Sequence, residues 1–415
     1  MIQRIEALRY RCLRNLRRSV SSFQILVGPN ASGKSTFLDT VRFLGDLVSE
    51  GLEPAIRERS ENLQDLLWQR EGQEFELAIE TRIPEERRRL LPGPDYDTCR
   101  YEVCVGIDPQ TGENGIHAER VLLTTAGEEN TVQKELFPDV GPPPHTILTR
   151  TPTKGVKTVI NKVSGGNDNF YDETGKGWDH AFKLGPRKSA LANLPEDETK
   201  FPVATWLKAI LGGQIETIVL NSASMRKPSP PGLQKGFRAD GSNLPWVIHG
   251  FRTANPAQFD RWIAHVRTAL PDLKAIETIE RPEDKHRYLR ILYDTGLTVP
   301  SWVASDGTLR LLALTLLGYV GELERVYLIE EPENGIHPQA VETVYQSLAS
   351  AYDCQILCAS HSPVVLSLAE PRTVLCFAKS SEGATDIVRG DEHPNLRDWK
   401  RGADLGTLFA TGVLG

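Results

Sequence analysis

The sequence has few cysteines and methionines and no long hydrophobic run. It contains six cysteines and two methionines in 415 residues, and no two cysteines form a CxxC pair. This scarcity argues against a disulfide scaffold and a structural zinc site, so we expect buried free thiols. No window approaches roughly 18 consecutive apolar residues, and the first residues, Met1 to Arg4, lack the apolar core of a signal peptide. We therefore predict a cytoplasmic protein with no membrane partner.

Composition and charge are those of an ordinary globular protein. The chain is 40% hydrophobic and 25% charged, and its net charge is −7. This balance argues against a broad, non-specific nucleic-acid surface. Two local basic clusters remain, the arginines before residue 19 and the run Arg87–Arg89. We interpret both as solvated faces of strands or helices in preference to a DNA-binding groove.

Residues 28–35 form a complete phosphate-loop motif. They read Gly-Pro-Asn-Ala-Ser-Gly-Lys-Ser, which fits the pattern G-x-x-x-x-G-K-[ST]. An apolar run from Phe23 to Val27 precedes the motif, and a helical pattern from Ser35 to about Val48 follows it. This is the strand–loop–helix context in which backbone N–H groups and a helix N-terminus bind phosphates. The sequence therefore predicts a nucleoside triphosphate site.

The motif assigns roles to individual residues. Lys34 would reach the β- and γ-phosphates, and the Ser35 hydroxyl would ligate Mg²⁺. We expect ATP and Mg²⁺ as the cofactors. The predicted nucleotide-binding residues of the loop are Gly28, Asn30, Ala31, Ser32, Gly33, Lys34, Ser35 and Thr36.

Two apolar runs near the end of the chain finish in polar residues. The first runs from Val326 into Glu330 and Glu331, which puts carboxylates at the C-terminal edge of a buried strand, where ligands bind in open α/β sheets. Glu330 would hold Mg²⁺ through water, and Glu331 would polarise the attacking water. The second run begins at Gln355 and ends at His361, which can reach a γ-phosphate. The alternative for the first run is a core strand that enters an acidic loop. The alternative for the second is that His361 is an ordinary surface histidine.

Ser305 begins a helical pattern that continues through residues 309–320. It is a good N-cap, and that is the simple interpretation. A helix N-terminus that carries Ser305 and Gly307 can also bind a phosphate supplied from outside. Both residues are therefore candidates for phosphate binding.

The phosphate loop and the later motifs are far apart in the chain. We expect an ATPase core interrupted by an insertion, because the loop lies near residue 30 and the other motifs lie beyond 300. The predicted division is an N-terminal half at 1–125, an insertion at 126–289 and a C-terminal half at 290–415. Strands are predicted within 2–16 and at 75–80, 101–105, 117–125, 156–163 and 290–293, and helices at 201–211 and 257–270.

The order of these motifs resembles the SMC/RecF/OLD-like group of ABC-type ATPases. The matching segments are 28–36, 305–310, 330–338 and 359–363. The resemblance implies an α/β fold: an ABC ATPase head with a mixed sheet (RecA-like core plus antiparallel β-subdomain) and an inserted, partly helical lid domain. It also implies an ATP-dependent homodimer or higher oligomer, in which Ser305 and Gly307 of one head close over ATP held by the other. His337 would lie at that interface, and His361 would sense the γ-phosphate.

Two features of the sequence differ from the usual motifs of this group. The group usually has Asp before the catalytic Glu, whereas this chain has Glu330, whose extra methylene changes the metal geometry. A Q-loop glutamine is expected before the strand at 75–80, where Gln64 and Gln69 are both available. We prefer Gln69 as the Mg²⁺ ligand.

Several functions are candidates for the process that the ATPase cycle drives. OLD-like chains carry a Toprim nuclease domain after the ATPase core, but only 54 residues follow His361, so we expect any nuclease subunit to act in trans. SMC-type arms need long heptad runs, which the sequence lacks. We favour a switch or sensor in a bacterial DNA-related or anti-phage defence system, whose insertion contacts DNA, a foreign protein or an effector.

In this interpretation the Trp-bearing helices at 201–211 and 257–270 form a lid, and plain packing helices are the alternative. A subunit of a DNA repair or nuclease complex acting directly on DNA is the second functional candidate. An ABC transporter subunit has less support because the insertion is too large.

Overall fold

The alternating and apolar patterns fold into strands and helices of an α/β protein. A computed structural model describes residues 1–93, 95–125, 143–150, 154–175, 178–233, 236–321 and 324–393. The described strands are β1 (Ile2–Tyr10), β2 (Leu13–Ser19), β3 (Phe23–Val27), β4 (Glu74–Arg82), β5 (Thr98–Ile107), β6 (Asn114–Thr124), β7 (Lys157–Val163), β8 (Asp168–Tyr171), β9 (Trp178–Phe182), β10 (Ile215–Ile218), β11 (Leu273–Glu280), β12 (Arg287–Tyr293), β13 (Thr298–Pro300), β14 (Val326–Glu330), β15 (Gln355–Ala359), β16 (Val374–Lys379) and β17 (Thr385–Arg389). The described helices are α1 (Lys34–Ser49), α2 (Leu52–Arg57), α3 (Glu85–Arg88), α4 (Pro202–Gly213), α5 (Ser222–Arg226), α6 (Leu244–Ala254), α7 (Pro256–Val266), α8 (Asp306–Val320), α9 (Pro338–Ala349) and α10 (Pro363–Leu368).

The chain divides into two compact units that alternate along the sequence. The first unit comprises Met1–Ser21, Ala31–Ile215 and Ala378–Ile387. The second comprises Ser22–Asn30, Glu216–Phe377 and the residues from Val388 onward. The predicted boundaries of the insertion, 126–289, remain a prediction, and residues 126–142 lie outside the described part.

An antiparallel sheet forms the core of the first unit. Its strand order is β2-β1-β4-β5-β6-β7-β8-β9. Helix α1 packs on it through Phe43, which contacts Tyr10 and Phe75 with ring centroids 5.9 and 5.4 Å away. All three rings are fully buried, so they fix the helix that follows the phosphate loop. The antiparallel β-subdomain implied by the resemblance is confirmed.

Parallel strands form the core of the second unit. Strands β14, β15, β3 and β16 are neighbours in that order, and Glu330 pairs with Ala359, Ala359 with Leu26, and Cys376 with Val27. The run Tyr327–Ile329 is buried, as expected for a strand covered on both faces. This register brings the carboxyl ends of β14, β15 and β3 to one edge. A separate three-stranded sheet has the order β11-β12-β13.

The tryptophans of the two Trp-bearing helices are buried in packing contacts, and the lid role of these helices remains a prediction. Trp262 of α7 is fully buried in the second unit, and its Nε1 donates to Thr315 Oγ1 of α8 at 3.0 Å. Trp206 of α4 is 4% exposed in the first unit. Helix α7 ends at Val266, and the predicted last turn, 267–270, consists of hydrogen-bonded turns outside the helix. No helix in the described ranges has the length and hydropathy needed to cross a bilayer.

Candidate nucleotide site

The acidic residues of the second unit lie at the carboxyl end of β14. Glu331 has a left-handed backbone (φ 49°), which is uncommon outside glycine and is found at functional sites. Its N–H donates to Ala359 O at 2.8 Å, and its carboxylate accepts from the Asn334 amide. The side chain is 46% exposed. Glu331 is therefore held by hydrogen bonds while its carboxylate stays accessible to water.

His361 lies at the carboxyl end of the neighbouring strand β15. Its Nε2 is 3.9 Å from Glu331 Oε1, and its backbone N–H donates to Glu333 Oε1 at 2.9 Å. The Ser360 hydroxyl donates to the same Glu333 oxygen at 2.8 Å. Glu333 Oε2 is buried and has no hydrogen-bond partner among the described residues. Glu333 thus fixes the turn that carries His361, a role that the motif alone did not indicate.

The first part of the phosphate loop also belongs to the second unit. Gly28 has φ 149°, and a Cβ there would lie 2.3 Å from Phe377 O, so only glycine fits. Ser360 N–H donates to Leu26 O at 3.0 Å, which ties the exit of β15 to that of β3. Gly28 and Asn30 therefore leave the sheet at the same edge as Glu331 and His361.

The rest of the loop, residues 31–36, belongs to the first unit. Ala31 and Gly33 have positive φ values of 59° and 103°, and α1 begins directly after Gly33. Lys34 is 6% exposed, with its Nζ 3.5 Å from Ser32 Oγ. The Thr385 hydroxyl donates to Ser32 O at 2.9 Å and would lie 2.1 Å from a Cβ on residue 33. Thr385 is far away in sequence and belongs to no motif, so sequence reasoning missed it.

Helix α1 is anchored to the first unit through Asp39. Tyr10 OH donates to Asp39 Oδ2 at 2.6 Å, and Arg59 Nε donates to Asp39 Oδ1 at 2.7 Å. Burial, followed by the Asp39 charge, raises the pKa of Tyr10 well above its ordinary value. Tyr10 is therefore a permanent donor, and the N-terminus of α1 is held in place.

The predicted N-cap of α8 is present in the second unit. Ser305 Oγ accepts from Thr308 N–H at 3.1 Å, and Arg226 pairs with Asp306. A Cβ on Gly307 would lie 2.9 Å from Gly335 O, in the loop that follows the acidic strand. The start of α8 thus packs closely against that loop.

Three further predicted residues have defined positions. His337 is exposed and is the N-cap of α9, with its Nδ1 accepting from Gln339 N–H at 3.3 Å. Gln69 lies in a short 3-10 turn of the first unit, and its Nε2 donates to Glu382 O at 3.3 Å. Gln64, the other Q-loop candidate, donates to Arg70 O at 3.3 Å.

The second unit therefore brings together Glu330, Glu331 and His361 at the edge where Gly28 and Asn30 begin the phosphate loop. The carboxylate oxygens of this edge are hard donors of the kind that Mg²⁺ prefers. The first unit holds residues 31–36 and Gln69. The catalytic and metal-binding roles of these residues stay predictions.

Comparison with known proteins shows which family model and which solved structures this chain is similar to. Residues 162–367 match the family model described as "AAA domain, putative AbiEii toxin, Type IV TA system". Two solved structures are similar in fold. One is the SmcHead bound to the C-winged helix domain of ScpA, with TM-score 0.53 and 15% identity over 93% of this chain and 97% of that one. The other is the Smc head domain with an extended coiled coil, bound to the C-terminal domain of ScpA derived from Pyrococcus furiosus, with TM-score 0.50 and 14% identity over 93% and 95%.

The fold is thus that of an Smc head domain. The chain is also 23% identical to the "OLD nuclease" of Thermus scotoductus over 431 aligned positions, which cover 99% of this chain and 69% of that protein. The resemblance to the SMC/RecF/OLD-like group of ABC-type ATPases is confirmed.

Proposed function

We propose that this chain binds and hydrolyses ATP with Mg²⁺ and uses the cycle as a dimerisation switch. The supporting observation is the shared edge of β3, β14 and β15, where Glu331 and His361 lie beside the start of the phosphate loop. A carboxylate within reach of water and a neighbouring imidazole are suited to general-base activation and to sensing a phosphate.

Each predicted residue has one role in this proposal. Lys34 neutralises phosphate charge, and Ser35 and Glu330, with Gln69, hold Mg²⁺. Glu331 polarises the attacking water, and His361 responds to the γ-phosphate. When bound, Mg²⁺ would neutralise the developing charge on the phosphates.

The output we propose is a sensor or switch in a bacterial DNA-related or anti-phage defence system, with an effector nuclease acting in trans. The relation to an OLD nuclease supports a link to nuclease function. ATP would join two heads through Ser305 and Gly307, and hydrolysis would separate them.

Direct DNA binding through the two basic clusters is less well supported, because their arginines have acidic partners. The pairs are Arg4–Glu80, Arg9–Glu74, Arg11–Asp39, Arg14–Glu382, Arg17–Glu6, Arg18–Asp386, Arg87–Glu198, Arg88–Asp95 and Arg89–Glu85. Such pairing leaves less positive charge for a phosphate backbone. Measuring ATP turnover with and without duplex DNA, at two salt concentrations, distinguishes the two outputs: a salt-sensitive stimulation would favour direct action on DNA.

The catalytic assignment is tested by two substitutions. Glu331→Gln should lower the rate of phosphate release by about 10²- to 10⁴-fold, because the general base is lost, while ATP still binds. Lys34→Ala should instead weaken ATP binding, measured by calorimetry. Glu342→Gln, on the exposed face of α9, is the matched control and should retain wild-type turnover. Turnover of Glu331→Gln at the control rate would show that another residue activates the water.

A further inference from the structure

Three side chains with metal-binding chemistry meet on neighbouring strands of the antiparallel sheet. They are Glu74 on β4, Cys104 on β5 and His117 on β6. His117 Nδ1 is 3.0 Å from Glu74 Oε2, and Cys104 Sγ is 3.3 Å from the same oxygen. The three donor atoms all lie within 4.8 Å of one another. This cluster lies outside every motif used for the proposed ATPase function.

The strand register produces the cluster. Cys104 pairs with Ala118, whereas the next residue, Val105, pairs with Ile116. His117 is therefore the extra residue of a β-bulge, a feature that redirects a side chain. A Cβ on Gly106 would lie 2.7 Å from His117 Cε1, so the glycine leaves room for the imidazole. The backbone thus holds the ring beside Glu74 and Cys104.

Two of the three donor separations are close to those around one tetrahedral ion. Zinc bonds of about 2.0 Å to nitrogen or oxygen and about 2.3 Å to sulfur place tetrahedral ligand atoms roughly 3.3 to 3.6 Å apart. The 3.0 and 3.3 Å distances to Glu74 Oε2 require only small shifts to reach those values. A thiolate, an imidazole and a carboxylate together favour Zn²⁺ over Mg²⁺ or Ca²⁺, which prefer oxygen ligands alone.

The surroundings provide compensating charge and a route to solvent. Glu76 pairs directly with Cys104 across the sheet, so a second carboxylate is close. Arg9 carries a positive charge, and its guanidinium lies 4.0 Å from Glu74 Oε1, the other oxygen of that carboxylate. The side chains of Glu74 and His117 are 39% and 21% exposed, whereas Cys104 is buried. A fourth position can therefore be filled by water while the thiol is protected.

We propose that Glu74, Cys104 and His117 form a Zn²⁺ site with one coordination position open to water. On binding, the Cys104 S–H bond breaks, its proton goes to solvent, and the sulfur forms a bond to zinc. The ion would link β4, β5 and β6 at the end of the sheet where the bulge occurs. Because the donors lie 30 and 43 residues from Glu74 in sequence, no short cysteine motif indicates the site.

Cobalt substitution tests this site without relying on ATPase activity. The purified full chain, treated with chelator and free of nucleotide, is titrated with Co²⁺ and followed by absorption. We expect a thiolate-to-cobalt charge-transfer band that saturates at one ion per chain and is abolished by Zn²⁺. Cys104→Ser should remove the band, and His117→Ala should weaken Co²⁺ binding by at least about 10- to 100-fold, the loss that follows even from removing a residue that only supports a ligand.

Cys99→Ala is the matched control, because Cys99 lies on the same strand, five residues away, and is not in the cluster. It should leave the band unchanged. Circular dichroism of the same variants shows whether each is folded. Loss of the band counts only for a variant that is folded. The proposal is overturned if the wild-type chain gives no band, or if Cys104→Ser keeps it.

Discussion

At the residue scale, Glu333 and Thr385 hold the backbone of the proposed nucleotide site in place. Glu333 fixes the turn of Ser360 and His361 through two hydrogen bonds, and Thr385 fixes the Ser32 carbonyl of the phosphate loop. Both act on the backbone of a motif and not on a substrate. Their effect on activity should therefore come from positioning.

Thr385→Val should disturb the phosphate loop. The substitution keeps the shape of the side chain but removes the buried donor to Ser32 O, a loss that costs about 1 to 3 kcal/mol. We expect a lower melting temperature and ATP binding weakened by about tenfold, which corresponds to about 1.4 kcal/mol. Thr373→Val, whose hydroxyl donates to the nearby Glu370 O on the surface, is the control for thermal scanning and calorimetry. Equal behaviour of the two variants would contradict a positioning role for Thr385.

We expect Glu173 to make the stability of the first unit depend on pH. Its carboxylate is 1% exposed and accepts from Val203 N–H and Ala204 N–H at 2.7 and 2.8 Å. Burial raises the pKa of Glu173 from 4.5 to about 7, an effect that these donors only partly oppose. Since the folded state holds the proton more tightly, the contribution of this group to stability is full below pH 4.5 and is lost as pH rises through 7.

Urea unfolding at several pH values measures this contribution. From pH 4.5 to 7, the wild-type free energy of unfolding should fall by up to about 3 kcal/mol relative to that of Glu173→Gln, which cannot ionise. Glu342→Gln should follow the wild type. A parallel pH dependence of Glu173→Gln and wild type would mean that Glu173 does not titrate in this window.

At the element scale, local patterns predicted many of the strands and four of the described helices, α1, α4, α7 and α8, but not which strands are neighbours. The alternation at 75–80 and 101–105 corresponds to β4 and β5, and the N-cap at Ser305 is confirmed. The position of β3 between β15 and β16 has no local signature, because pairing depends on distant residues. The position of Thr385 beside the phosphate loop also has no local signature. Nor does that of His117, which a β-bulge brings next to Cys104.

The contact between the start of α8 and the loop after β14 can be tested at Gly307. An alanine Cβ there would meet Gly335 O at 2.9 Å, so the helix or the loop must shift. We expect Gly307→Ala to destabilise the protein by about 1 to 3 kcal/mol, as for overpacking, and to lower ATP turnover. Gly250→Ala on α6, where the added Cβ has no neighbour within 4 Å among the described residues, should be neutral or stabilising. A Gly307→Ala protein as stable and active as Gly250→Ala would argue against a close contact.

At the scale of the whole molecule, the proposed switch requires a second copy of the chain. Ser305 is exposed at the N-terminus of α8, and arginine there would add bulk and positive charge. In a Glu331→Gln background, ATP should produce a dimer by light scattering, whereas adding Ser305→Arg should leave a monomer that still binds ATP. Dimers of unchanged abundance in the double variant would contradict an interface at Ser305.

The interleaving of the two units has a consequence for the order of events during synthesis. The phosphate loop is made long before Thr385, because 353 residues separate Ser32 from this hydrogen-bond partner. At a translation rate of about 5 to 20 residues per second, the loop waits roughly 20 to 70 seconds for that partner. Strand β3 likewise emerges from the ribosome long before β15 and β16, the strands between which it lies. Strand β3 therefore has neither of its neighbouring strands until β15 has been made.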